Sequence, residues 1–94
     1  MTNLPVDYTK LTGKQRKLIR EEYVDNQAGL CYHCNGKLTE DPIGKDKDRK
    51  VDWRLFPRGF FFNPVHLHHD HDTGMTIGAV HAKCNAVLWQ YYGE

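Results

Sequence analysis

The stretch that decides the fold of this chain is residues 66–74, which have the sequence His-Leu-His-His-Asp-His-Asp-Thr-Gly. Four of the six histidines fall in this stretch. The alternation from Val65 to His69 predicts a β-strand, the Asp-Thr-Gly tripeptide predicts a turn, and Met75 to Val80 predicts a returning strand. Residues 65–80 are therefore expected to form a β-hairpin that is rich in imidazole.

Two short pairs of metal-ligand residues flank this hairpin. The first is Cys31-x-x-Cys34 and the second is His81-x-x-Cys84. A two-residue gap lets both members of a pair reach one tetrahedral ion, and three thiolates with one imidazole are a known structural zinc set. The pattern predicts a zinc ion that ties the first pair to the end of the hairpin, with His33 at the surface rather than bound to the metal. Two alternatives stay open: a thioredoxin-like Cys-x-x-Cys, which would need a strand–helix–strand context, and cysteines that are together by coincidence.

Composition limits the size of the core and the class of protein. The chain has 94 residues, 39% of them hydrophobic, and a mean hydropathy of −0.70. This predicts a single domain over residues 1–94 with a core thin enough to need a metal or a partner. Three cysteines do not make a disulfide framework, and no signal segment or membrane span is evident, so we expect reduced thiols in the cytoplasm and no membrane partner. The net charge of +1 does not identify the partner.

The remaining segments complete an α+β pattern. Thr12-Gly-Lys-Gln15 predicts a capping box that opens a helix over about 12–27. Residues 1–11 are expected to be extended, 39–50 to be a polar loop, and the aromatic stretch 51–62 to hold one or two short strands. A last helix is predicted over 85–92. The first helix carries positive charge in its N-terminal half, which opposes the helix dipole and makes phosphate a weak candidate ligand; the basic residues are Lys10, Lys14, Arg16, Lys17 and Arg20.

Adjacent histidines on a strand point to opposite faces, so His68 and His69 are suited to different tasks. One can bind a cation while the other stays neutral beside that charge and serves as a general base. Asn85 follows Cys84 at the predicted helix start, where its side-chain oxygen is a plausible ligand and the N-terminus favours phosphate. His66 shares a strand face with His68, as either an outer ligand or a packed residue.

These residues together resemble the HNH endonucleases (ββα-metal, or His-Me finger), in particular the phage recombination endonuclease VII-like branch. That branch has a Cys-x-x-Cys pair, an Asp-His-Asp-His-x-x-Gly hairpin and then Leu-Cys-x-x-Cys-Asn before a helix. Residues 68–74 and 80–85 occupy the same frame, and the resemblance covers roughly 30–88. It implies a zinc-stabilised α+β domain with a ββα-metal motif at about 65–92, which hydrolyses DNA phosphodiester bonds to 5′-phosphate and 3′-hydroxyl ends.

The resemblance also assigns roles to individual positions. It makes His69 the general base and His71 the contact to the scissile phosphate or the leaving group. It makes His68 and Asn85 the ligands of a catalytic divalent ion, with His68 at a position where the family usually has aspartate. An imidazole there favours Mn²⁺ or another transition ion over Mg²⁺. For substrate binding we expect phosphate contacts from Lys83 and Arg58.

The expected partner is DNA, which a monomer or a homodimer would cut in the cytoplasm of a phage-infected host cell, with phage packaging proteins as a further partner class. One catalytic centre makes nicking the simplest outcome. A rival hypothesis from another class is a non-catalytic zinc module that binds DNA or a protein. A third hypothesis is an RNA-directed or toxin-like nuclease with the same centre.

Overall fold

A computed structural model describes residues 4–93. The structure is α+β, as predicted, with two helices and a two-stranded antiparallel sheet. In chain order the elements are a 3₁₀ turn at Tyr8–Lys10, α1 at Gly13–Asn26, a 3₁₀ turn at Trp53–Leu55, β1 at Val65–His69, β2 at Thr76–His81 and α2 at Ala82–Tyr92. None of the helices in the described part of the chain has the length and apolar character needed to cross a bilayer.

Helix α1 begins with the predicted capping box. The Gln15 main-chain N–H donates to the Thr12 hydroxyl, and the Thr12 N–H donates back to the Gln15 side chain. These two bonds satisfy N–H groups that a helix start otherwise leaves without partners. Ile19 and Tyr23 are the buried residues of α1, and both pack in the core cluster against the hairpin. Helix α1 therefore has one face on the sheet and a basic face toward solvent and the hairpin edge.

The predicted hairpin forms, with a register that pairs Val65 with His81 and His69 with Thr76. A register shift between His68 and His69 bends the ladder near the turn. The turn is held by the Asp70 carboxylate, which accepts two main-chain N–H bonds at 2.8 and 3.0 Å. Strand β2 begins one residue later than predicted and continues to His81. The predicted metal ligand His81 is thus the last residue of β2 and directly precedes α2.

The N-terminal segment lies along the hairpin rather than apart from it. Tyr8 N–H donates to the Gly74 carbonyl at 2.8 Å, and Thr76 N–H donates to the Val6 carbonyl at 2.9 Å. Residues 1–3, part of the segment predicted to be extended, lie outside the described residues, and residues 8–10 form a 3₁₀ turn instead. This docking places the Tyr8 ring next to the histidines of β1.

The close packing of β2 against the end of α1 requires a glycine. A Cβ at Gly78 would lie 2.9 Å from the Gln27 side-chain oxygen and 3.0 Å from Tyr32. That Gln27 side chain accepts from the Ala79 N–H at 2.8 Å and donates to the Ala79 carbonyl at 2.9 Å. The absence of a side chain at position 78 lets this two-way amide bridge form.

Two expectations about elements were wrong. Within the described residues the stretch 51–62 forms no strand; it is a 3₁₀ turn followed by further turns, held together by ring contacts of Phe56, Phe60, Phe61 and Trp89. Helix α2 begins at Ala82 and not at Asn85, because the chain enters the helix immediately after His81. Cys84 and Asn85 consequently both lie in its first turn.

Candidate metal centre and adjacent cavity

The four predicted zinc ligands converge in space. The ligand atoms of Cys31, Cys34, His81 and Cys84 all lie within 4.8 Å of one another. His81 Nδ1 is 3.4 Å from the Cys34 sulfur and 3.6 Å from the Cys84 sulfur. Ligands of a tetrahedral zinc ion with ~2.3 Å Zn–S bonds stand about 3.5–3.8 Å apart. These four residues could therefore hold a structural metal such as zinc.

The surroundings of this cluster orient its ligands. His81 Nε2 lies 2.9 Å from the Lys37 carbonyl, so that its N–H donates there and the Nδ1 lone pair faces the sulfurs. The Gly36 N–H donates to the Cys34 sulfur, and the His81 N–H donates to the Cys31 sulfur. His33 lies between the two cysteines but bonds instead to Asp46 at 2.8 Å. Because Cys31 and Cys84 are buried, the centre leaves little room for a fifth ligand.

The thiols themselves favour a bound cation. The pKa of Cys31 is lowered to about 4, because the Cys84 thiol and then main-chain N–H groups hydrogen-bond to its thiolate. The same thiolate raises the pKa of Cys84. A buried thiolate that shares a proton with a second thiol is an arrangement that a divalent cation neutralises by replacing the proton.

A second polar feature is an open cavity of about 400 Å³ beside β1, between α1 and α2. Its wall combines imidazole, amide and guanidinium groups from distant parts of the sequence. These groups belong to His66, His69, His71, Asn85, Arg16 and Arg20. No carboxylate lines this cavity in the part of the chain that the structure describes. The cavity is thus positively charged overall and has room for an anion.

On one side of this cavity Asn85 meets an imidazole that the sequence did not single out as its partner. The Asn85 side-chain amide lies 3.1 Å from His66 Nδ1. Burial is the main cause that lowers the pKa of His66. The ring is therefore held neutral, with a nitrogen lone pair that faces the amide.

On another side, His69 lies between aromatic rings. Its imidazole stacks on the Tyr8 ring, with centroids 3.9 Å apart and planes 6° from parallel, and it meets His71 edge-on at 4.9 Å. Burial, followed by the charges of His71 and His68, lowers the pKa of His69. A neutral imidazole fixed in orientation at the wall of a polar cavity is suited to accept a proton.

Arg16 completes this side of the cavity. Its guanidinium lies 3.9 Å from the Tyr8 ring centre, and because His69 already covers one face of that ring, Arg16 must lie on the other. One terminal N–H₂ group donates to the Tyr8 carbonyl. Its Nε is buried and has no hydrogen-bond partner among the described residues. The Arg16 guanidinium therefore lies at the cavity wall with one of its N–H groups unpaired, and its positive charge favours an anion in the cavity.

No family model, curated protein or solved structure matches this chain. What the site does must therefore be inferred from the chemistry of its own residues.

The structure brings together some of the residues that the sequence pointed to and separates others. His69, His71 and Asn85 line one cavity, whereas His68 is 3% exposed and does not line it. The Lys83 ammonium donates to the Lys47 carbonyl on another side of the molecule. Arg58 lies in the aromatic turn region near Trp53 and Phe56.

Sequence reasoning missed Tyr8, left His66 open between an outer ligand and a packed residue, and gave Arg16 and Arg20 only a weak role. For the two arginines the sequence did offer a signal, because positive charge in the N-terminal half of α1 opposes the helix dipole. Nothing local marks Tyr8, because its role depends on a contact across 61 positions of sequence, from residue 8 to residue 69.

Proposed function

We propose that this protein is a metal-dependent DNA endonuclease of the HNH type, built on a ββα-metal motif formed by β1, β2 and α2. The observation that carries the proposal is the shared cavity of His69, His71 and Asn85 beside two arginines. This combines a neutral base, a cation ligand and anion-binding groups in a space that is open to solvent. Together these groups can activate a water molecule and stabilise the charge that develops on a phosphodiester during hydrolysis.

In the proposed reaction, His69 takes a proton from the attacking water as the new P–O bond forms. The bond from phosphorus to the 3′ oxygen then breaks; in this proposal His71, on the same cavity wall, hydrogen-bonds to the leaving oxygen, which takes up a proton from water. Arg16 and Arg20 neutralise the non-bridging phosphate oxygens. A divalent cation held beside Asn85 would supply Lewis-acid stabilisation of the phosphate and of the departing oxygen.

The Cys3His centre has a different task in this proposal. Four protein ligands close a tetrahedral ion, so that no position remains for water or substrate. His81 ends β2 and Cys84 lies in the first turn of α2. A structural metal there holds the angle between hairpin and helix, and thereby the position of Asn85, the residue after Cys84.

The proposal is tested by incubating the zinc-loaded protein with supercoiled plasmid across a panel of divalent ions. We expect relaxed circles as the first product, with Mn²⁺ or another transition ion at least as effective as Mg²⁺, because an imidazole in the ligand set favours softer cations. Cleavage that occurs with Mg²⁺ and with no other ion of the panel would argue against any imidazole ligand. Absence of cleavage with every ion would refute the proposal.

Arg16 offers a second test on a residue outside the hairpin. Arg16→Ala is expected to lower the single-turnover cleavage rate about 10–100-fold, since a hydrogen bond to a charged group is worth about 1.5–3 kcal/mol. Lys17→Ala is the matched control: it removes the same charge from an exposed position on the same helix and should change the rate less than threefold. Equal losses in the two variants would mean that only the overall charge of α1 matters.

A further inference from the structure

We infer that His66 and Asn85, rather than His68 and Asn85, form the binding site for the second, divalent cation; this deepens the proposed function and rests on it. The imidazole ligand is then His66, which lies two residues before His68 in β1. Since the side chains of a strand repeat every two residues, His66 and His68 share a face, and local sequence does not distinguish them.

The first support is the distance between the two groups. Asn85 and His66 Nδ1 are 3.1 Å apart. Adjacent ligands of an octahedral ion with bonds of ~2.1 Å stand about 3.0 Å apart. Rotation of the Asn85 amide by half a turn presents Oδ1 instead of Nδ2 at the same place. A cation can therefore be bound with little movement of either side chain.

The second support is the environment of the His66 ring. The Phe60 ring meets the His66 ring edge-on at 4.5 Å, and this contact fixes the ring with Nδ1 toward Asn85. In the thiolate centre His81 also turns Nδ1 toward the metal position, and there Nε2–H donates to the Lys37 carbonyl. Donation of one ring N–H to a carbonyl is the usual way in which a protein orients a metal-binding histidine.

The third support is the position of His68. It pairs with Gly78 in the sheet, is 3% exposed, and is absent from the cavity wall that contains Asn85. An imidazole buried in this way would need repacking of the hairpin to reach an ion in the cavity.

The chemistry of the site also defines the class of cation. One imidazole nitrogen and one amide oxygen are neutral ligands, so they suit Mn²⁺, Co²⁺ or Ni²⁺ better than Mg²⁺ or Ca²⁺. Two arginines nearby oppose the binding of a bare cation. Phosphate oxygens of the substrate would offset that charge and complete the coordination sphere with water.

The experiment measures Mn²⁺ affinity of the zinc-loaded protein from the free Mn²⁺ signal in electron paramagnetic resonance. Inorganic phosphate is held at one fixed concentration, with a protein-free control, so that an anion is present to offset the two arginines. His66→Ala and Asn85→Ala should each weaken Mn²⁺ binding at least tenfold. His68→Gln and the remote control His33→Gln should change it less than twofold. Asn85→Asp, which adds a carboxylate, should increase the affinity for both Mn²⁺ and Mg²⁺. This variant still tests the site if an alanine variant fails to fold.

The outcomes separate this inference from the proposed function. Loss of Mn²⁺ affinity in His68→Gln, with His66→Ala unchanged, would overturn the inference, as would wild-type affinity in all variants. Plasmid cleavage that persists in His66→Ala at the wild-type rate would overturn it while leaving the nuclease proposal in place. Mn²⁺ binding that depends on His66 and Asn85, in a protein that cuts no nucleic acid, would uphold the site and refute the nuclease.

Discussion

Removal of the metal from the Cys3His centre is expected to abolish the cooperative unfolding transition of this protein. A structural zinc ion contributes about 10–16 kcal/mol of apparent binding free energy, whereas the free energy of unfolding of a small domain is only about 5–15 kcal/mol. The four ligands join the segment after α1 to the end of β2 and the first turn of α2. Without an ion, two buried cysteines, the partly exposed Cys34 and a buried imidazole face one another in a thin core.

The measurement is circular dichroism during heating, with zinc content determined before and after chelation. Cys84→Ser should behave like the chelated protein. His33→Gln is the matched control, since His33 lies in the same turn but bonds to Asp46 and not to the cluster; it should keep zinc and a sharp transition. An unchanged unfolding midpoint after complete chelation would show that the cluster does not hold the fold.

If the protein is the proposed endonuclease, His69→Ala is expected to lower the rate of DNA cleavage by about 10²–10⁴-fold, which is the usual contribution of a positioned general base. The ring is half-buried at the cavity wall and its lowered pKa keeps it neutral near pH 7. The variant loses the stack on Tyr8, so its thermal midpoint should fall by only a few degrees, in line with a ~0.5–1.5 kcal/mol ring contact.

The wild type and His69→Ala are compared by single-turnover plasmid cleavage. Zinc content and thermal unfolding are measured on the same samples. Full activity in a folded, zinc-loaded His69→Ala protein would mean that the observed cleavage has another source or another base. The same assay with an RNA oligonucleotide of matching sequence distinguishes the DNA-directed from the RNA-directed hypothesis. A folded wild-type protein that binds DNA without cutting it would support the non-catalytic zinc module.

Several features follow from short-range pattern alone. The capping box from Thr12 to Gln15 depends on residues three apart, and the turn after β1 depends on the Asp70 carboxylate and its own neighbours. Within each pair of metal ligands, the two members are also separated by only two residues. Such local interactions are independent of the rest of the chain, and the sequence therefore predicts α1, the hairpin and the two ligand pairs within a residue or two. That both pairs belong to one cluster follows from the four ligands that a tetrahedral ion needs.

Tertiary structure decided which side chains share the cavity. The sequence allows Asn85 to meet either His66 or His68, because both lie on one strand face, and only the packing of α2 against β1 selects His66. The stack of Arg16 on Tyr8 and of Tyr8 on His69 likewise depends on the docking of the N-terminal segment. Burial removes His68 from the cavity, and a hydrogen bond to Lys47 directs Lys83 elsewhere. Ligand type and spacing are local properties that the sequence determines, whereas the choice among equivalent side chains depends on contacts between residues far apart in the chain.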